Sequence, residues 1–431
     1  MATVRPKKAS GSRRQIDAES LAVWLDDASF GPLLRIGTLS RTSLESVRFS
    51  YDKTWLQDPK AFNLDPRLSL DRGDFYPNES NFGVFLDSCP DRWGEVLMRR
   101  RELVEARDQG RARRELYAWD FLLGVQDITR MGALRFSRAS DVGSPTFLAS
   151  EALAAPPVTQ IAELQKVALE LSRTQQDDLP MLRQWLKVLV APGSSLGGAR
   201  PKANIRGEQG GLWIAKFPAA DDDTDVALRE MLAHDLAEKC DIDVPPARLE
   251  RIGSSRYHTF RVQRFDRNGD KRRFFTSAMT LLERTSKDDA SYLDLAEIIA
   301  TKGSPRYIEH DLRELFRRVI FNVTVANRDD HLRNHGFLMT PEGFRLSPAY
   351  DVNPATRKDA HVLALNEVDT SPNLENVLET AEYYRLTEDQ ARTIIDSVID
   401  TVRNWEQAAR QLGLSAEDRA DLEAAFTLKW P

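Results

Sequence analysis

The stretch "ANRDDHLRNHGF", residues 326–337, gathers Asp329, Asp330, His331, Asn334 and His335 within a few positions. On a helix, His331 and His335 would share a face, an arrangement that can ligate a metal. There is no HExxH pattern, however, and Asn334 and Gly336 favour a loop. On a loop, one carboxylate can accept the proton of a hydroxyl while an asparagine side-chain oxygen binds a hard cation. Asp351, in "PAYDVNP", offers a second hard oxygen ligand further along. Carboxylate and amide oxygens suit Mg²⁺, which keeps several waters and bridges phosphates.

Two upstream clusters extend this set. "GSSLGGARPK", residues 193–202, places glycines and a serine pair ahead of basic residues. Glycine lets a backbone curl so that successive N–H groups face an anion. Ser194 and Ser195 add hydroxyls, and Arg200 and Lys202 add charge. No Gly-Lys-Ser/Thr follows, so this is not a Walker A loop, and a Gly-Ser linker is an equal reading of the same residues. Lys216, in "WIAKFP", sits in an otherwise apolar strand, where alternation puts Ile214 and Lys216 on one face and Trp213 and Ala215 on the other. Such a lysine either snorkels at an edge or pairs. The functional option is a point charge on a nucleotide's phosphates, held by an acid of the following helix, where Glu230 is placed to serve. An anion loop, a strand lysine and a base with Mg²⁺ ligands make a phosphoryl-transfer set, and they occur here in that order.

The elements that must position these groups are legible in outline. Residues 19–90 carry strand-like runs, "GPLLRIGTLSR" and "SLESVRFSYDKTWL". "NFGVFLDSCPDRWGEVLMRRRELVEAR" then turns helical, with Pro90 breaking the run, and "LYAWDFLLGV" reads as a buried helix. A Pro- and Ala-rich connection at 149–160 leads into a helical stretch from 159 to 187. Strands return over 195–265, interrupted by "DDDTDVALREMLAHDLAEKCDIDV", whose opening acids complement a helix dipole. "RYHTFRVQRFDRNGD" alternates as a strand and ends in an Asn-Gly turn. The remainder is mostly helical: "LRELFRRVIFNVTVAN" is apolar enough for the core, and a Thr387–Gln390 capping box opens a helix with Ile394, Ile395, Val398, Ile399 and Val402 at helical spacing.

Bulk properties narrow the classes. The chain has 431 residues, 41% hydrophobic and 29% charged, as expected of a soluble protein of two or three domains. No apolar run reaches the roughly 18–20 residues of a membrane helix. The start, "MATVRPKKASGSRRQ", lacks the apolar segment of a secretory signal and reads as a disordered basic tail. Cys89 and Cys240 belong to no CxxC or Cys/His cluster, which argues against a zinc site or disulfide framework and suits a cytoplasmic chain. A net charge of −6 excludes a general nucleic-acid binder, and the basic run at 98–115 mixes signs as a solvated helix does.

At these motifs the sequence resembles the HipA family of bacterial serine/threonine kinases, toxins of type II toxin–antitoxin modules. The resemblance runs from about residue 25 to 405, through "FLDSCPDRWG", "SLGGARPK", "AKFP", the "RE" at 229–230, "VPPARL", "RFDR", "NRDDHLRNHGF" and "PAYDV". It implies an α+β, two-lobed protein-kinase-like fold. A disordered tail (1–18) would precede an N-terminal subdomain (19–125), a strand-containing N-lobe with the Gly-rich loop (126–265) and an all-α C-lobe with the catalytic loop (266–431).

The resemblance also implies roles. ATP and Mg²⁺ are the expected cofactors, with Asp329 the catalytic base, Asn334 and Asp351 the Mg²⁺ ligands, and His331 in the nucleotide-contacting catalytic loop. Lys216 matches the lysine on the ATP phosphates, with Glu230 its acidic partner. Gly197, Gly198, Ala199, Arg200, Pro201 and Lys202 match the nucleotide loop; Gln263, Arg264 and Phe265 match the adenine hinge; Tyr350 joins Asp351 at the nucleotide. Ser195, or its neighbour Ser194, matches the serine that family members autophosphorylate, ejecting the loop. The implied partners are a HipB-type DNA-binding antitoxin, with DNA reached only through it, and a protein substrate such as an aminoacyl-tRNA synthetase or other translation factor. No membrane partner is implied.

Two departures stand out. Gln263 replaces a familiar Glu, which shifts the expected adenine contacts to backbone groups, and Asp330 replaces the small residue common after the catalytic Asp. Asp330 and His335 have no role in this reading. Two other functions compete with it: a metal-dependent hydrolase built on Asp329, His331, His335 and Asp351, and a non-catalytic, antitoxin-binding co-repressor.

Overall fold

The first apolar run, "SLAVWL", becomes β1 (Ser20–Leu25), buried almost throughout because strands flank it on both sides. β2 (Leu34–Arg41) and β3 (Val47–Tyr51) extend one edge and β4 (Leu134–Arg138) the other, all antiparallel, in the order β3-β2-β1-β4. The structure, a computed structural model, describes residues 19–43, 45–141, 144–149, 155–173, 200–285 and 289–428. The sequence reading ends this subdomain at residue 125, but the sheet carries it on to β4. The cause is non-local: β4 takes its place by pairing with β1, from Leu25↔Leu134 to Leu21↔Arg138, and local pattern does not report such partners. Phe49 meets Tyr51 and Phe85, and Phe85 meets Phe136, as edge-on or tilted rings in the core.

Helices α1 (Lys53–Leu56), α2 (Gly83–Leu86), α3 (Arg92–Asp108) and α4 (Ala118–Gly124) lie between β3 and β4. α3 starts where Pro90 ends the preceding run. Asp91 is its N-cap, with extended backbone and a side chain that accepts from the Gly94 N–H at 2.8 Å. α5 (Ile161–Arg173) buries Ile161, Leu164, Ala168 and Leu171, one helical face. The rest of the helix expected to 187 lies outside the described residues.

The second sheet holds the strand lysine. β5 (Lys202–Arg206), β6 (Leu212–Lys216), β7 (Ala247–Glu250) and β8 (Thr259–Gln263) form an antiparallel sheet of order β5-β6-β8-β7. α6 (Val226–Lys239) connects β6 to β7 and buries Leu228, Leu232 and Leu236. Of the acids before it, Asp225 is the N-cap and accepts from the Leu228 N–H at 3.2 Å. The Asn-Gly turn joins β9 (Arg267–Asn268) to β10 (Lys271–Arg272), with Gly269 at φ 61°.

The second lobe contains α7 (Ala278–Leu281), α8 (Tyr292–Lys302), α9 (Ile308–Thr324), α10 (Leu374–Glu379), α11 (Glu388–Val402), α12 (Trp405–Leu412) and α13 (Ala416–Ala425). The capping box forms, with Thr387 and Gln390 bonded reciprocally. The lobe is not all-α as expected. β11 (Phe275–Ser277), β12 (Gly336–Thr340) and β13 (Gly343–Leu346) make a three-stranded sheet beside the polar loop. The short runs "GFLM" and "GFRL" pair as a local hairpin that closes at Thr340↔Gly343, and β11 joins it by pairing with β12. Gly336 is required there, since a Cβ would lie 2.2 Å from the Phe275 ring.

Buried charge ties the N-terminal subdomain to both lobes. Lys202 Nζ donates to Asp91 Oδ2 at 2.7 Å with both side chains almost fully enclosed, and Trp93 Nε1 donates to the Lys202 carbonyl at 3.2 Å. Asp87 accepts from the Ser277 N–H at 2.8 Å. Burial pushes the Asp91 carboxyl up despite Lys202 beside it, so the pair links more than it stabilises. Asp91→Ala should take the buried Asp91 carboxylate from Lys202 and remove the α3 cap, lowering unfolding free energy by about 3–5 kcal/mol. Asp91→Asn with Lys202→Met, which keeps a capping side chain and removes the charge, should cost clearly less. Denaturant titration of the two variants beside wild type measures the difference.

Candidate active site

Lys216, last residue of β6, points from the sheet into the space between the lobes, 8% exposed. Its Nζ donates to Glu230 Oε1 at 2.5 Å and to Asp351 Oδ1 at 2.6 Å. Glu230 comes from α6 and Asp351 from the loop after β13, so one ammonium joins sheet, helix and second lobe. Burial opposes charge on Lys216, but the two carboxylates outweigh it and raise its pKa. Burial raises Glu230, whereas Asp351, only partly buried, is held down to about 2 chiefly by Lys216 against the cost of desolvation. Asp351 adopts φ 58°, the left-handed region that Asp tolerates better than most residues.

Above this group opens a cleft between the sheet and the second lobe. Ile214, Val244, Phe260, Val262, Phe265 and Val352 line it, with Lys216, Glu230 and Asp351 at its polar end. Phe265 stacks on Tyr350 at 5.3 Å and 26°. The alternation read from the sequence holds: Ile214 and Lys216 both face the cleft.

The Gln263 N–H donates to the Pro246 carbonyl and the Arg264 N–H to the Leu212 carbonyl, both at 2.9 Å. These two backbone donors are therefore committed within the protein, and Gln263 contributes to the cleft through its side chain. Arg264 turns its guanidinium into a buried network, on Asp266 at 2.7 Å, Asn204 Oδ1 at 2.9 Å and the Thr129 carbonyl at 2.6 Å. Burial works against the charge on Asp266, but Arg264 and Arg267 hold its carboxyl well below the usual range.

In the nucleotide-loop segment, Ser194, Ser195, Gly197, Gly198 and Ala199 lie outside the described residues. Arg200 makes a two-pronged pair with Asp222 at 2.9 and 2.6 Å, and the Pro201 carbonyl accepts from the Phe217 N–H at 2.9 Å. Lys202 stands opposite Lys216 in the β5–β6 register and is held by Asp91.

The stretch 326–337 is a loop, as Asn334 and Gly336 suggest. Ala326, buried and at φ 53°, turns the chain out of α9, and Leu332–Asn334 forms one 3₁₀ turn before β12. The two adjacent aspartates face opposite ways. Asp329 is exposed, on the rim of a second, larger cleft that it shares with His331, and is paired with Lys358. Asp330 is buried and accepts from Tyr292 Oη, Asn322 Nδ2 and His335 Nε2. Burial opposes the Asp330 charge, yet His335 and Tyr292 outweigh it and lower its pKa.

Asn334 Oδ1 is buried without a hydrogen-bond partner, and the Asp351 oxygens offer a second hard donor; an amide and a carboxylate fit Mg²⁺. No cluster of three or more His, Cys, Asp or Glu able to hold a metal forms among the described residues, and His335 is committed to Asp330 rather than open. No helix among the described residues is long and apolar enough to cross a membrane.

The fold and this site define a two-lobed, kinase-like protein with an added N-terminal subdomain. Family models agree: the HipA N-terminal domain matches residues 21–137 and the HipA-like C-terminal domain matches 194–405. The chain belongs to the HipA family. The first match ends with β4, as the sheet does. A HipA of Shewanella oneidensis, solved in a toxin–antitoxin complex with HipB and operator DNA, shares the fold at TM-score 0.65, 18% identity and 94% coverage of each chain. A putative kinase of Haemophilus influenzae is 28% identical over 200 residues, 40% of this chain and 57% of that protein. The chain thus spans little more than half the length of this curated relative. The Helicobacter pylori proinflammatory kinase CtkA aligns over 54% of this chain and 95% of its own at 14% identity and TM-score 0.34, too distant to bear on the fold.

Replacing Lys216 with Met tests the charge balance. In wild type, the lowered pKa of Asp351 supplies stability that is full above its unfolded value and lost as pH falls towards about 2. In Lys216→Met, Glu230 and Asp351 lose their cation and would be buried as two unpaired acids, so their folded pKa values rise. Protonation then relieves the variant: between about pH 7 and pH 5 its melting temperature should rise while that of wild type does not.

Proposed function

We propose that this chain is an ATP- and Mg²⁺-dependent serine/threonine protein kinase, the toxin of a HipA-type toxin–antitoxin pair. The observation that carries this reading is Lys216 bonded at once to Glu230 and Asp351 at the polar end of an apolar cleft. The apolar walls suit a planar base, and the lysine suits its phosphates. Asn334 and Asp351 would hold Mg²⁺, which when bound would neutralise charge on the phosphates. Asp329, open to the larger cleft, orients a substrate hydroxyl in line with the γ-phosphate and accepts its proton. His331 lines the same cleft and has a buried Nδ1 without a partner.

Membership of the HipA family and the shared fold support a HipB-type DNA-binding antitoxin as partner, with operator DNA reached through it. A translation component such as an aminoacyl-tRNA synthetase is the protein substrate that the family suggests. The intact lysine–carboxylate group argues against a non-catalytic co-repressor, although repression and catalysis can coexist. The hydrolase reading finds no support in a loop whose His335 is turned inward.

Incubation with labelled ATP, wild type beside Asp329→Asn, tests the assignment. Transfer should fall by roughly 10²–10⁴-fold in the variant while nucleotide binding persists; equal label in both would exclude Asp329 as the base. In wild type, phosphopeptide mapping should find the label on Ser195 or Ser194. A phosphate there brings about two negative charges into an anion site and should abolish further ATP binding. If neither serine is modified, this self-limiting step is removed from the scheme.

A further inference from the structure

Asp330 breaks the sequence pattern of the loop, and the structure gives it a place. We propose that Asp330 is a positioning residue for phosphoryl transfer, its Oδ2 gathering donors from three elements and thereby fixing the directions of both Asp329 and Asn334. The inference rests on the kinase reading above and extends it to a residue outside the reacting set.

Three donors meet on that one oxygen. Tyr292 Oη, from the first residue of α8, lies at 2.6 Å, Asn322 Nδ2 of α9 at 2.9 Å and His335 Nε2 at 2.7 Å. All four side chains are buried, none more than 5% exposed. Tyr292 and His335 also meet edge to face at 5.8 Å and 88°. Asn322 passes the connection on: its Oδ1 accepts from Asn327 Nδ2 at 3.0 Å, and Asn327 Oδ1 accepts from the Asn353 N–H at 3.4 Å. The network therefore grips the catalytic loop near its start at Asn327, in the middle at Asp330 and at its end at His335, and reaches the segment that carries Asp351.

The direction of Asp329 follows from this. Asp330 is turned inward while its neighbour Asp329 is exposed, so the contacts that anchor Asp330 also fix the backbone from which Asp329 projects. His335 directly follows Asn334, so the same oxygen sets the far end of the loop. A buried acceptor that loses a donor, or a donor that loses its acceptor, leaves an unsatisfied group, which makes the arrangement all-or-none rather than gradual. None of these groups lies among the apolar walls of the nucleotide cleft. Disturbing Asp330 should therefore affect the transfer step and spare nucleotide affinity.

The test compares wild type, Asp330→Ala and Tyr292→Phe, with labelled ATP and dephosphorylated casein as acceptor. Asp330→Ala should lower kcat on the order of 10²-fold, the effect of a misplacement near 1 Å, while affinity for a fluorescent ATP analogue moves by less than about threefold. Tyr292→Phe keeps the ring and removes one donor, and should lower kcat severalfold. In an Asp329→Asn background, Asp330→Ala should add a much smaller loss than in wild type, only the part carried by Asn334; a merely structural role would reduce the residual rate by the same factor as in wild type. Amide exchange over residues 326–336 should accelerate in Asp330→Ala and remain slow in α9. Unchanged kcat in both variants of an active enzyme overturns the proposal. So does an equal loss in the Asp329→Asn background, or full kcat in Tyr292→Phe should Asp330→Ala fail to fold. If wild type transfers no label, the kinase reading falls instead, and the exchange comparison still decides whether Asp330 pins the loop.

Discussion

Everything at the site depends on one ammonium group with two carboxylates. Lys216 is buried, and a buried cation persists only if its charge is met. Glu230 meets it from α6 and Asp351 from the second lobe, so the electrostatic requirement of a single strand residue dictates the approach of three elements. The cleft above inherits its polarity from that arrangement: apolar along the walls and charged at one end. Without the lysine, the same fold would bury two acids against each other.

The N-terminal subdomain follows the same logic at a second lysine. Lys202 faces Lys216 across the β5–β6 pair, and its carboxylate arrives from Asp91 at the head of α3. Around the hinge, Arg264 and Arg267 surround Asp266, while Arg272 bonds Asp127 and Arg267 reaches the carbonyls of Arg130 and Gly132. These contacts clamp the strand-to-lobe connection onto residues 127–132. The hinge is a buried polar joint rather than a flexible strap.

Much of this was legible in the sequence where an ionisable residue sat in an apolar context. Lys216 in "WIAKFP" stands out for that reason and Asp351 in "PAYDVNP" as a hard oxygen ligand beyond the polar loop, and the Thr387 capping box and the Asn268–Gly269 turn are local signals that the chain obeys. What escaped was non-local. β4 looks like any short strand until β1 is there to pair with it, and β11 takes its place only by pairing with the distant β12. Arg264 reads as a hinge residue, yet Asp266, two positions away, draws its guanidinium inward. Which of two adjacent aspartates turns inward is decided by Tyr292 and Asn322, and no spacing within "NRDDH" encodes that.

The Asp91–Lys202 pair also bears on how such chains can be recombined. A nucleotide lobe usually behaves as a module, but here the charge on its first strand is balanced by a residue more than a hundred positions upstream, in a differently folded unit. A chimera joined between the two units would inherit a lysine from one parent and need its aspartate from the other. The two regions are therefore expected to drift as a matched pair, with exchanges tolerated only between relatives that place an acid before α3.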